Sequence, residues 1–132
     1  MIMDWKIVVP LFALVLTVSS EKMVGAPADA NLNDPSLKNA LQFAVVEHNK
    51  QSNEMYIRQV ASVVKAQTQV VAGLKYIFTV NMGRTSCRKG RVETNCLVHK
   101  DPEMASTYKC NFEVWSRPWL SDIQLLKNDC QQ

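Results

Sequence analysis

Apolar positions in this chain follow two periods in turn. Leu37, Ala40, Leu41, Ala44, Val45 and His48 recur at spacings of three and four, with Lys38, Asn39, Gln42, Glu47, Asn49 and Lys50 away from them. That is the stripe of an amphipathic helix. Asp34 can cap free backbone amides and Pro35 suits the first helical position, so the helix is predicted from Pro35 to about Gln51. Val46 falls on its polar side, a small misfit. Beyond Ser52-Asn53-Glu54 the period changes. Met55 to Val71 is rich in β-branched residues with imperfect alternation, which predicts a bulged strand. Leu74, Tyr76, Phe78, Val80 and Met82 then alternate cleanly with Lys75, Ile77, Thr79 and Asn81. Gly83 to Ala105 reads as a polar, turn-rich surface excursion. Tyr108, Cys110, Phe112 and Val114 alternate again, Pro118 stops that ladder, and Leu120 to Lys127 resumes a strand. One helix against an antiparallel sheet is a stable α+β arrangement. Sequential hairpins would bring their two tips to one end of it.

Both tips are apolar. Gln69-Val70-Val71-Ala72-Gly73 joins two predicted strands without a charge, whereas most turns are polar. On spacing alone it reads as a strand end with Gly73 as a turn or bulge residue. The competing reading is a surface built to be covered by another molecule. Pro118-Trp119 poses the same choice between a tryptophan folded onto the core and one held out for a partner. Ahead of the helix, Glu21 to Pro27 reads as an extended, mobile arm, in which Gly25 lets the backbone lie close to another surface.

The N-terminus narrows the compartment. Lys6 precedes an uncharged run from Ile7 to Val18, and small residues Ser19 and Ser20 precede Glu21-Lys22. This is the layout of a cleaved signal peptide over residues 1–20, leaving a domain over 21–132. The run is short of the roughly 20 apolar residues that span a membrane, and secretion is expected. The chain is 47% hydrophobic with a net charge of +3, its 15 basic and 12 acidic residues spread fairly evenly, so no nucleic-acid partner is expected. Cys87, Cys96, Cys110 and Cys130 make an even count, read in a secreted chain as two disulfides. Three pairings exist. The sequential one, 87–96 and 110–130, closes two small loops, each worth roughly 3 kcal/mol on loop entropy. A zinc site around Cys96 and His99 is the rival, but no paired CxxC supports it, and no metal or cofactor is expected. His48 reads as a half-buried packing residue. With all cysteines in disulfides no nucleophile–base pair stands out, so an enzyme is not expected.

These residues together resemble a family. Met23-Val24-Gly25-Ala26-Pro27, Leu41-Gln42-Phe43-Ala44, Gln69 to Gly73, Gly83-Arg84-Thr85, Pro102-Glu103-Met104-Ala105 and Pro118-Trp119 are similar to segments of the type 2 (secreted, two-disulfide) cystatins, from about Val24 to Cys130. The resemblance implies a cystatin-like fold, with one long helix on a curved antiparallel sheet of about five strands. It supports the sequential cysteine pairing. It implies a reversible, tight inhibitor of papain-like cysteine proteases, cathepsins included, with no scissile bond offered. Val24-Gly25, the residues Gln69, Val70, Val71, Ala72 and Gly73, and Pro118-Trp119 would form a three-part wedge in the protease cleft, with Val24 in a hydrophobic pocket. Some family members also inhibit legumain-type proteases through an asparagine in a Ser-Asn-Asp setting. The matching residues here are Ser52-Asn53-Glu54, so Asn53 is a candidate that departs from the pattern by one residue. The alternative is a secreted binding module with the same fold and no inhibition. A monomer without membrane contact is expected, and long hairpins with apolar tips are compatible with a domain-swapped dimer.

Overall fold

Helix α1, Pro35–Gln51, starts where Asp34 accepts a hydrogen bond from the Ser36 amide at 3.0 Å and Pro35 occupies the first position. It ends where the Ser52 amide donates to the His48 carbonyl at 2.9 Å. Leu37, Ala40, Ala44, Val45 and His48 form its buried face, and Leu41 is only partly covered. The computed structural model describes residues 25–91 and 94–131. The predicted signal peptide and Val24 lie outside them.

The helix packs on one antiparallel sheet of five strands in sequential order: β1 (Ala28–Asp29), β2 (Tyr56–Val71), β3 (Gly73–Arg88), β4 (Tyr108–Arg117) and β5 (Asp122–Gln131). Alternation decides which side chains meet the helix. Tyr76, Phe78, Val80 and Met82 from β3 and Tyr108, Cys110, Phe112 and Val114 from β4 are buried beneath it. Phe78 stands opposite Phe112 in the ladder, and burying each ring stabilises the fold by about 2–3 kcal/mol. Register shifts in the β2–β3 ladder fall between Tyr56 and Arg58, Val60 and Ser62, and Val63 and Lys65, which is where alternation in the sequence is poorest.

Several boundaries differ from expectation. β3 does not end at Met82 but runs on to Arg88, so the surface excursion is much shorter than Gly83 to Ala105. The phase slips at Gly83: Met82 and Gly83 are both buried, and thereafter Thr85 and Cys87 are the covered residues. The reason is a change of cover, because Val98 bridges Thr85 and packs against Gly83. The buried Thr85 hydroxyl donates to the Ile57 carbonyl at 2.8 Å and accepts from the Cys87 amide. β5 begins at Asp122 rather than Leu120, because Pro118–Leu120 forms a single 3-10 turn. Asp101-Pro102 repeats the Asp-Pro start signal and opens a short helix α2, Pro102–Ala105, which was not foreseen. Strand β1, directly after the arm read over Glu21 to Pro27, was not foreseen; Ala28 pairs with Thr68 and Asp29 with Gln67 on β2.

The cysteines pair as Cys87–Cys96 and Cys110–Cys130. Cys96 is therefore not available to a metal. His48, Cys110 and Cys130 lie close together, but both sulfurs are consumed by the second disulfide.

Candidate functional site

Three segments distant in sequence meet at one end of the sheet. The first is the β2–β3 tip. Val71 pairs with Gly73 across a one-residue bend at Ala72, so the backbone reverses as tightly as a hairpin allows. Gly73 has φ +103°, and a Cβ there would stand 2.4 Å from the Ser116 carbonyl oxygen on β4. Only glycine meets both demands. Val70 and Val71 remain exposed at 66% and 40%.

The second segment is the β4–β5 tip. Pro118 fixes the 3-10 turn and Ser121 closes it in the left-handed region, its amide donating to the Pro118 carbonyl. Arg117 grips Asp122 across the base through Nε at 3.0 Å and through Nη2, and stacks over the Trp115 ring at 4.2 Å. That guanidinium holds the Asp122 carboxyl below the usual carboxylate range. Trp119 is 64% exposed, so it does not fold back onto the core, and Leu120 beside it is exposed too. Trp115, which the sequence did not single out, ties the tips together: its Nε1 donates to the Ala72 carbonyl at 2.8 Å. Its position on the outward phase of β4, near the turn, was the available signal.

The arm is the third segment. Gly25 lies against β2 beside Val70, where a Cβ would come within 2.7 Å of the Val70 carbonyl oxygen. The Gln69 side chain donates to the Gly25 carbonyl at 3.1 Å. So Gln69 faces the arm, while Val70, Val71 and Trp119 form an apolar outer edge with no charge of its own.

Asn53 lies elsewhere, at the far end of α1. It is exposed in a tight loop, where the Ser52 hydroxyl accepts from the Glu54 amide at 3.0 Å. The neighbouring Glu54 points inward. Its carboxylate receives Arg58 Nε at 2.9 and 2.7 Å and the Tyr108 hydroxyl at 3.0 Å. The Arg58 hydrogen bond leads the effects that hold Glu54 below its ordinary 4.5, and burial pushes Tyr108 up to about 12. Arg58 is buried, lies over the Tyr108 ring at 4.0 Å and donates to the Ser106 carbonyl at 2.8 Å. His48 was expected to be half-buried. It is 5% exposed, because one ring nitrogen meets Tyr108 Oη and the other Asn128 Oδ1, each at 3.0 Å. Among the described residues no buried side-chain polar atom lacks a partner.

Exposed apolar residues thus stand at both hairpin tips, Val70 and Val71 on one and Trp119 and Leu120 on the other, beside the arm at Gly25. Comparison with known proteins identifies the family. Residues 25–119 match the cystatin domain model. A cystatin of Oncorhynchus mykiss is 67% identical over 129 residues, covering 98% of this chain and 99% of that one. Cystatin-C of Paralichthys olivaceus is 49% identical over 125 residues, covering 94% and 98%. Among solved structures, dimeric human cystatin F superposes with a TM-score of 0.73 at 30% identity, covering 82% of this chain and 87% of that one. The chain belongs to the cystatin family, whose members are cysteine protease inhibitors and not enzymes.

Proposed function

We propose that this chain is a secreted, reversible, tight-binding inhibitor of papain-like cysteine proteases of the cathepsin class. Val24-Gly25, Gln69 to Gly73 and Pro118-Trp119 enter the active-site cleft as one wedge. The observation carrying this reading is the tethering of the three segments. Gln69 bonds the arm at Gly25, and Trp115 bonds one tip at Ala72 to the strand leading into the other. An edge fixed before contact loses little conformational freedom on binding. Its uncharged valines and tryptophan enter a narrow cleft without the cost of stripping water from ions. Val24, one residue ahead of the tethered Gly25, would fill a hydrophobic pocket beyond the hairpins. A signal peptide over residues 1–20 delivers the domain to the outside of the cell. No described helix is long and apolar enough to cross a membrane.

Titration of papain and cathepsins B and L with the mature protein tests the proposal. Dissociation constants on the order of 1 nM or tighter are expected for at least papain. A variant carrying Gly73→Glu and Trp119→Ala and lacking residues through Gly25 should lose inhibition. Undiminished inhibition by it would refute the wedge, and inactivity of the intact protein would favour a binding module without inhibition.

A second, independent site for legumain-type proteases at Asn53 is supported by that residue's exposure on a loop pinned at both sides by Ser52 and Glu54. Because Glu54 is turned into the fold toward Arg58, the longer acidic side chain does not crowd Asn53. Loss of legumain inhibition in Asn53→Lys, with papain inhibition intact, is the expected result. Equal legumain inhibition by both proteins would remove the site.

A further inference from the structure

Cys110 and Cys130 stand directly opposite one another in the β4–β5 ladder, flanked by the pairs Lys109–Gln131 and Asn111–Asp129. Backbone pairing therefore holds the two positions together whether or not their sulfurs are bonded. Helix α1 lays His48 over this pair. Its Nδ1 lies 3.8 Å from the Cys130 sulfur, and one donor atom from each of His48, Cys110 and Cys130 falls within 4.8 Å of the other two. Three elements, α1, β4 and β5, thus each bring one nitrogen or sulfur donor to a single point. Among the described residues no other group of three histidine, cysteine or carboxylate donors is so arranged.

The hydrogen bonds around His48 aim one particular nitrogen at the cysteines. The Tyr108 hydroxyl donates to the Glu54 carboxylate at 3.0 Å. Its single proton is then spent, so its oxygen can only accept from His48 Nε2, 3.0 Å away. A neutral imidazole that donates through Nε2 carries its lone pair on Nδ1, the atom beside Cys130. The other neighbour of Nδ1 is the Asn128 side chain at 3.0 Å, which is only half-buried and can turn aside. Histidines that ligate metals are held in the same way, with the second ring N–H tied to a fixed acceptor.

With both cysteines reduced, two sulfurs and one imidazole nitrogen make a donor set suited to zinc(II). A tetrahedral zinc ion holds two thiolate sulfurs about 3.8 Å apart and each about 3.6 Å from a ligating nitrogen, so His48 has little distance to travel. Cys110 is fully buried, but Cys130 is half-exposed and lines a cavity of about 510 Å³ together with His48 and Asn128. That cavity gives the Cys130 side chain room to swing outward, gives the ion a way in, and admits a water to the fourth position. Two thiolates cancel the charge of the ion, so no net charge is buried beneath the helix.

We propose that the dithiol form of this chain binds zinc(II) through His48 Nδ1 and the sulfurs of Cys110 and Cys130. A dithiol reductant supplies the two electrons and two protons that open the bond, and itself closes to a disulfide. Zinc(II) then displaces the two thiol protons. The ion ties the end of α1 to both strands, whereas the disulfide ties only the strands. The newly made chain, before its first oxidation, holds the same three donors.

The test uses the mature protein reduced with a phosphine, freed of reductant in the absence of oxygen, and titrated with cobalt(II) and then zinc(II). One ion is expected at this site, giving the visible bands of tetrahedral cobalt(II) and a thiolate-to-cobalt charge-transfer band. The oxidised parent should show neither. Cys87→Ser/Cys96→Ser should keep the signal and Cys110→Ser/Cys130→Ser should lose it. His48→Gln should bind at least about tenfold more weakly and with an altered cobalt spectrum. Tyr108→Phe should also bind about tenfold more weakly, because the Nε2 proton loses its acceptor. Circular dichroism establishes that each variant is folded, and where a cysteine variant is not, the comparison of His48→Gln with the parent decides alone. A reduced parent without the cobalt spectrum, equal binding by His48→Gln and parent, or a signal that follows Cys87 and Cys96 would overturn the assignment. So would a fold lost on reduction and not restored by the metal, since the ladder would then not hold the donors. Failure to inhibit papain leaves all these outcomes unchanged.

Discussion

The indole nitrogen of Trp115 donates to the carbonyl oxygen of Ala72, and this bond sets the position of one hairpin tip relative to the other. Trp115→Phe keeps an aromatic ring under Arg117 and removes the donor together with the second ring of the indole. Because the Ala72 carbonyl can turn to water, stability should fall by no more than about 1 kcal/mol. Inhibition of papain should weaken several-fold, because the two tips no longer arrive in register. Paired unfolding and inhibition measurements check this. Equal inhibition constants for variant and parent would mean that the tips are aligned by the strands alone.

Gly73 is constrained from two directions. Alanine would have to hold a positive φ and place its Cβ against the Ser116 carbonyl oxygen. Gly73→Ala should lower stability by roughly 1–3 kcal/mol in urea unfolding. It should also cost more inhibition than Trp115→Phe, since the tip itself must move.

Gln69 tests the arm separately from the tips. Gln69→Ala leaves both hairpins intact and frees Gly25 from its hydrogen bond. Its effect should vary between proteases, following how much each depends on the arm. A panel of cathepsins titrated with this variant should therefore show unequal losses. A uniform loss would mean that Gln69 acts on the hairpin and not through the arm.

The buried network at the other end predicts the pH dependence of stability. Glu54 has a folded-state value below its ordinary 4.5. Its stabilising contribution is thus complete above about pH 4.5 and is lost as pH falls through the folded-state value. Tyr108 has the opposite sign. Its neutral hydroxyl is favoured by burial, so stability is retained below the ordinary value of 10 and lost as pH rises toward about 12. Urea midpoints measured from pH 2 to 12 should decline at both limits. Glu54→Gln should flatten the acid limb and cost on the order of 2 kcal/mol at neutral pH, because the buried Arg58 exchanges a charged carboxylate for one neutral amide oxygen. An unchanged acid limb would mean that other carboxylates dominate it.

Long-period features were legible in the sequence and short or long-range ones were not. The helix was visible because Asp34-Pro35 and six spaced residues agree over 17 positions. The same Asp-Pro signal at Asp101 opens only four helical residues, too few to show a period. Strand β1 is two residues held by backbone pairing, which leaves no side-chain pattern. Beyond Met82 the alternation was hidden because the covered face changes and a threonine, satisfied by hydrogen bonds, takes a core position. For the candidate site, the apolar tips stood out as misplaced hydrophobic residues. Their tethers, Trp115 to Ala72 and Gln69 to Gly25, join side chains to distant carbonyls and carry no local signature. The same applies to Arg58, whose partners come from three separate segments.

The length of the β2–β3 hairpin has an electrostatic consequence. Ions screen charge over about 8 Å at physiological salt, a small fraction of the roughly 50 Å of strand contour that its 16-residue strands provide. Charges at the far end are therefore screened from anything approaching the tips. Near the tips the charges are matched, Arg117 with Asp122 and Lys75 with Glu113. A protease docking there would feel no long-range pull, so its association rate should barely change with ionic strength.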